Sequence, residues 1–175
     1  MLETEIKILE IDKSKLEKQV MELGATKIFE GELVAIYYDL DDNRLSKQKN
    51  VLRLRKEGDK SKLTLKINRV HKNASVNEEH EIEVSDYAEM KSILEFVGFK
   101  NIRHFRKTRE SYKWGNVRIE FDKYHDDNEH IPWFMELESD NYTDLKNLLV
   151  KLQIAESETV KMDAFELTDY YQLKE

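Results

Sequence analysis

The chain has no cysteine, one proline and five glycines among 175 residues. The first absence excludes disulfides, thiolate metal sites and a cysteine nucleophile together. With the single proline at Pro132 and no Gly/Pro/Ser-rich stretch, nothing marks a linker, and one domain over residues 1–175 is expected. No apolar run approaches the roughly 18 residues a membrane span needs, and no basic and apolar leader opens the chain, so a soluble cytoplasmic protein with no membrane partner is expected. Positive charge is also short: the formal net charge of −7 argues against a nucleic-acid partner, because such binding rests on a surplus of Lys and Arg facing phosphates. There is no Walker-type glycine loop and no G-x-S-x-G elbow. The five histidines lack the paired helical spacing of a zinc site.

What is present is charge at 37% and hydrophobic residues at 39%, with enough aromatics (10%) for a packed core. Apolar stripes predict three amphipathic helices: Leu16, Val20 and Leu23 ending at Gly24; Met90, Leu94 and Val97 ending at Gly98; Leu145, Leu148, Leu149 and Leu152 after Thr143. A fourth is expected over about residues 163–173. Alternating runs near 2–9, 33–39, 50–56, 61–68, 80–85, 104–113, 117–124 and 133–138 predict strands, an α+β pattern. Residues 69–80 read as a loop or flexible strand connection.

Two hairpins are specific enough to assign a register. Gly58-Asp59, glycine first, suits a type II′ turn, and pairing outward sets Leu54 opposite Leu63 and Arg53 opposite Thr64. Around Gly115-Asn116, Tyr112 meets Ile119 and Arg109 meets Asp122. Both hairpins separate an apolar face from a charged one.

The same separation recurs elsewhere. Ile6 and Ile8, Ile82 and Val84, and Met135 and Leu137 alternate with Glu3, Glu5 and Lys7, with Glu81 and Glu83, and with Glu136 and Glu138. An open sheet would expose these charges to water, the ordinary fate of a charge run. A sheet curled into a barrel would gather them into a lined channel. Segregation of Glu-x-Glu on some strands from Arg-x-Arg on another favours the channel. Carboxylates two residues apart can hold hard divalent cations, and Arg and Lys can hold the phosphate oxygens those cations bridge. The ligand complementary to such a lining is a polyphosphate with Mg²⁺ or Mn²⁺.

At these residues the sequence resembles the CYTH, or triphosphate tunnel metalloenzyme, superfamily, which includes class IV adenylyl cyclases, thiamine triphosphatases and inorganic triphosphatases. Glu3, Glu5 and Lys7 match its Glu-x-Glu-x-Lys signature. Arg53 and Arg55, Lys66, Glu81 and Glu83, Lys107 and Arg109, Asp122, and Glu136 and Glu138 follow in order. The resemblance implies an eight-stranded antiparallel β-barrel tunnel flanked by helices. It implies divalent-metal ligands at Glu3, Glu5, Asp122, Glu136 and Glu138, and a triphosphate grip from Lys7, Arg53, Arg55, Lys66, Lys107 and Arg109. Among these, Glu3, Glu5, Lys7, Arg53, Lys107, Asp122, Glu136 and Glu138 would form the catalytic set. Glu81 and Glu83 would order the cations' side chains or join a second metal site. The implied activity is hydrolysis of tripolyphosphate, thiamine triphosphate or a nucleoside triphosphate by a monomer or homodimer. The alternatives are cyclisation of ATP and a non-catalytic polyphosphate- or nucleotide-binding module. The segment from Asp122 to Glu136 departs from the glycine-bearing version found in the cyclases, which tilts the expectation toward hydrolysis.

Overall fold

The computed structural model describes residues 2–174, so the first and last residues of the expected 1–175 domain lie outside it. The chain runs β1 (Leu2–Ile8), α1 (Lys13–Glu22), β2 (Thr26–Asp39), α2 (Arg44–Lys47), β3 (Val51–Glu57), β4 (Lys60–Arg69), β5 (Ser75–Val84), α3 (Tyr87–Phe96), β6 (Lys100–Trp114), β7 (Val117–Tyr124), β8 (Phe134–Ser139), α4 (Tyr142–Leu152), β9 (Thr159–Val160) and α5 (Ala164–Gln172). Neighbouring strands pair in the order β5-β4-β3-β2-β6-β7-β8-β1-β9, and β1 pairs β5 as well. That last pairing, from Leu2 opposite Glu78 to Glu5 opposite Ser75, closes β1 to β8 into an antiparallel barrel. Closure leaves β9 as a short outer partner of β1.

Two glycines set the hairpin registers. Gly58 and Gly115 take φ of +58° and +55°, while Asp59 and Asn116 stay outside the positive-φ region, as a type II′ turn requires. Leu54 therefore meets Leu63 and Arg53 meets Thr64; Tyr112 meets Ile119 and Arg109 meets Asp122. Both are the expected registers.

The stretch read as a loop or flexible strand connection, residues 69–80, is mostly strand: β4 runs to Arg69, β5 begins at Ser75, and only five residues connect them. It lacks an aliphatic face because β5 draws its order from partners on both edges, and its polar side chains Ser75, Asn77 and Glu79 face the interior. β2 and β6 are also longer than expected: the added β2 residues pair with β6 from Thr26 opposite Lys113 to Glu32 opposite Thr108, and the added β6 residues Lys100, Asn101 and Arg103 lie opposite Asp39, Tyr38 and Tyr37.

Outside the barrel the aliphatic faces of most strands meet the helices, while Ile82 of β5 is exposed. Leu16 and Val20 of α1 and Leu145, Leu148, Leu149 and Leu152 of α4 pack on Ile6, Ile8, Ile119, Phe121, Met135 and Leu137. Each fully buried leucine there contributes about 1.5–3 kcal/mol. Leu94 of α3 covers Ile36, Tyr38, Leu52 and Leu54, whereas Val97, expected in that stripe, is exposed. At one end of the barrel, Phe165, Leu167 and Tyr171 of α5 pack on Tyr37, Phe105, Tyr124 and Phe134. Helices α1, α3 and α4 each follow an acidic strand and start alike, with Asp12, Asp86 and Asn141 accepting a backbone N–H three residues on at 3.0 Å. Such caps satisfy a donor that the first turn leaves unpaired.

Candidate active site

Because side chains alternate along a strand, aliphatic faces turned to the helices leave the charged faces turned inward. The interior holds a cavity of about 860 Å³, lined among others by Glu3, Glu5, Lys7, Arg53, Arg55, Lys66, Glu81, Lys107, Arg109, Glu136 and Glu138. These charges are not a solvated face: Lys7 is 3% exposed, Arg109 4%, Glu136 7%, and Asp122 on the tunnel wall 0%. Burial of this kind is tolerated only when charges are paired or ligated.

Much of the pairing is internal. Arg109 donates through Nε and Nη2 to the two oxygens of Asp122 at 2.7 and 2.5 Å, and through Nη2 to Glu136 at 2.6 Å. It also ion-pairs with Glu120. Lys107 binds Asp122 too. Lys7 lies between Glu5, which it contacts, and Glu136 at 3.0 Å. Lys66 pairs with Glu3, with Glu79 at 3.5 Å and with Glu5 at 3.9 Å. Burial opposes ionisation of Glu136, but Lys7, Lys107 and Arg109 outweigh it and hold its carboxyl well below the usual range.

Two carboxyls behave in the opposite way. Burial first, then the charges of Glu120 and Glu3, push Glu138 well above the usual range. Glu120 is also raised, again by burial first, with Asp122 and Glu136 adding to it against the pull of Arg109. Glu120, Glu136 and Glu138 each offer one oxygen within 4.8 Å of the others. The Asp122 oxygens are engaged by Arg109 and Lys107, and Glu3 and Glu5 face lysines. The oxygen cluster therefore combines two expected ligands, Glu136 and Glu138, with Glu120. Glu120 sits two residues before Asp122 on β7, the same x-spacing as the Glu-x-Glu pairs, and that spacing is the signal that could have marked it.

On the facing wall the arginines have fewer partners. Nε of Arg53 and Nε of Arg55 are buried without a hydrogen-bond partner among the described residues. Burial, and then the nearby charges of Arg53 and Arg109, lower the pKa of Arg55. An anion placed here would satisfy both groups. Glu81 accepts from Thr64 at 2.9 Å and pairs with Lys62 at 2.7 Å, while lying 3.9 Å from Arg55. Glu83 is exposed and does not line the cavity. Trp133 lies outside the barrel against the α1 and α4 core, with the Lys13 ammonium 5.6 Å from its ring.

A closed antiparallel barrel with opposed basic and acidic walls is the architecture the sequence motifs imply, and the CYTH domain profile matches residues 1–167. The chain belongs to the CYTH domain family. A Methanocaldococcus jannaschii protein named as a candidate adenylate cyclase is 32% identical over 138 residues, covering 79% of this chain and 77% of the relative. The fold is shared with a Pyrococcus horikoshii protein at a TM-score of 0.80 and 23% identity, over 94% of this chain and 98% of that one. It is shared as well with a Hippeastrum protein described as a candidate adenylyl cyclase with a dominant triphosphatase activity, at a TM-score of 0.69 and 17% identity over 97% and 95% of the two chains. The names of these proteins thus include both a cyclase and a triphosphatase activity. No helix among the described residues is long and apolar enough to cross a membrane.

Proposed function

We propose that this CYTH chain hydrolyses a triphosphate inside the tunnel, with a divalent cation as cofactor. The observation that carries the reading is the opposition, across one cavity, of the Glu120/Glu136/Glu138 oxygen cluster to guanidiniums of Arg53 and Arg55 that lack partners at Nε. Three carboxylates with no nitrogen or sulfur donor suit a hard cation such as Mg²⁺ or Mn²⁺. Glu120, Glu136 and Glu138 would hold it, with Glu3, Glu5 and Asp122 behind them. When bound, such an ion supplies charge neutralisation at phosphate oxygens.

The residues of the chain supply the remainder. Arg53, Arg55, Lys66 and Lys107 bind and align the phosphates, so that water meets the terminal phosphorus in line with the bridging oxygen that leaves. Lys7 and Arg109 hold the Glu136 carboxylate in place, fixing the acidic wall before substrate arrives. A tunnel carboxylate orients the attacking water and takes up its proton as orthophosphate forms. The second reading, cyclisation of ATP, is favoured by the name of the 32%-identical relative. It uses the same lining, with the ribose hydroxyl attacking the α-phosphorus and pyrophosphate leaving.

Incubation with tripolyphosphate, thiamine triphosphate and ATP, each in Mg²⁺ and in Mn²⁺, separates the two by product. Release of orthophosphate supports hydrolysis. Pyrophosphate with cyclic AMP supports cyclisation, and affinity without turnover in any condition would overturn both.

A further inference from the structure

At the α5 end of the tunnel the charged lining gives way to a layer of rings. Tyr37, Phe105, Tyr124 and Phe134 occupy inward strand positions, and Phe165 of α5 closes over them. Tyr37 stands edge-on to Phe105 at 5.3 Å and to Phe165 at 5.0 Å, and Tyr124 stacks on Phe134 at 5.6 Å. Of these five rings only the two that carry hydroxyls, Tyr37 and Tyr124, line the cavity.

Packing alone does not account for that division. Phenylalanine fills the neighbouring positions, and a buried phenol costs free energy unless its hydroxyl finds a partner. Tyr37 is the cross-strand neighbour of Arg53, and the two side chains face the same cavity. Tyr124 sits beside Lys107, whose ammonium is 5.7 Å from the ring, and shares its surroundings with Tyr37. Both tyrosines therefore border two of the cations assigned above to phosphate.

We propose that Tyr37 and Tyr124 are substrate contacts that donate hydroxyl hydrogen bonds to phosphate oxygens at the aromatic end of the tunnel and fix how far the phosphate chain enters. The inference rests on the triphosphate reading and adds to it a depth stop. Lysines and arginines attract any phosphate of a chain almost equally, so a cationic tunnel alone lets the chain slide. Two neutral donors set in an apolar layer satisfy one terminal phosphate at one depth, which decides which bridging oxygen lies beside the acidic cluster.

The test is calorimetric titration of tripolyphosphate and pyrophosphate into wild type, Tyr37→Phe, Tyr124→Phe and the double variant, in chelator so that no metal is needed, with thermal unfolding of each. Each single change is expected to weaken tripolyphosphate binding about tenfold, the cost of one hydrogen bond to a charged group, and to leave the unfolding midpoint in place. The double variant is expected to lose discrimination between tripolyphosphate and pyrophosphate. Wild-type binding with unchanged affinity and discrimination in the singles overturns the tyrosine role alone. Wild type that binds neither anion in chelator, in Mg²⁺ or in Mn²⁺ overturns the triphosphate reading, and this inference with it.

Discussion

At the scale of the residue, the two walls predict different consequences for charge removal. Arg53 supports no carboxylate by itself, since Glu3 and Glu79 both keep Lys66. Arg53→Met should weaken tripolyphosphate binding by about 2 kcal/mol, roughly thirtyfold in Kd, with only a small fall in the unfolding midpoint; calorimetry and thermal unfolding check both halves. Glu136 balances Lys7 and Arg109 in the interior. Glu136→Ala should therefore remove activity and also cost about 3 kcal/mol of stability, because it leaves buried charge without compensation. Glu138 has the opposite sign. A carboxyl whose folded pKa lies above its ordinary value destabilises the folded state at any pH above that ordinary value, and Glu138 is raised well above it by burial, then by Glu120 and Glu3. Glu138→Gln should raise the unfolding midpoint in chelator at neutral pH while weakening Mn²⁺ binding. A lowered midpoint would show that Glu138 is paired in a way the described residues do not provide.

At the scale of the element, legibility followed the strength of local pattern. The β3–β4 and β6–β7 hairpins were readable to the exact residue pair, because glycine at the first turn position and strict alternation specify one register. The first half of β2 was not, since its residues are largely exposed and alternate against nothing buried. β5 was hidden for a different reason: barrel closure, a long-range event, supplies its partners. Helix α1 illustrates how an element is pinned by chemistry that sequence spacing does not show. Its Glu17 accepts from Lys13 at 2.6 Å and from the hydroxyl of Tyr112 on β6. Those hydrogen bonds, Lys13 first and Tyr112 second, hold the Glu17 carboxyl at about 2 against its ordinary 4.5. A depressed carboxyl contributes stability that is complete above its unfolded pKa and lost as pH falls through the folded one, so this contribution disappears between about 4.5 and 2. Glu17→Gln should flatten that part of the acid-unfolding curve and lower stability at pH 7, where the contribution of Glu17 is complete. Circular dichroism across the acid range measures the difference, and an unchanged acid limb would place the helix attachment elsewhere.

At the scale of the whole molecule, closure converts segregated strand faces into a site. The motifs carried the identity of most lining residues and the β6–β7 hairpin set Arg109 opposite Asp122, but that Arg109 also reaches Glu136, or that Glu120 joins Glu136 and Glu138, depends on strand stagger around the ring. The aromatic end was equally illegible, because Tyr37, Phe105, Tyr124 and Phe134 come from four strands and become a layer only once α5 covers them. The finished interior leaves Nε of Arg53 and Nε of Arg55 without partners among the described residues, a cost of unpaired buried donors that a polyanion removes. Linkage then fixes the size of the effect. At a hundred times its Kd, tripolyphosphate should add about 2.7 kcal/mol to the folded state, which for a chain of this length is about 5–10 °C in the unfolding midpoint. Chloride at equal ionic strength should not reproduce the shift, because screening acts weakly on charges held inside the barrel. Arg53→Met should lose most of it. Differential scanning calorimetry of the two proteins in tripolyphosphate and in matched NaCl makes the comparison, and an equal shift in both salts would mean that the anion binds the outer surface and not the tunnel.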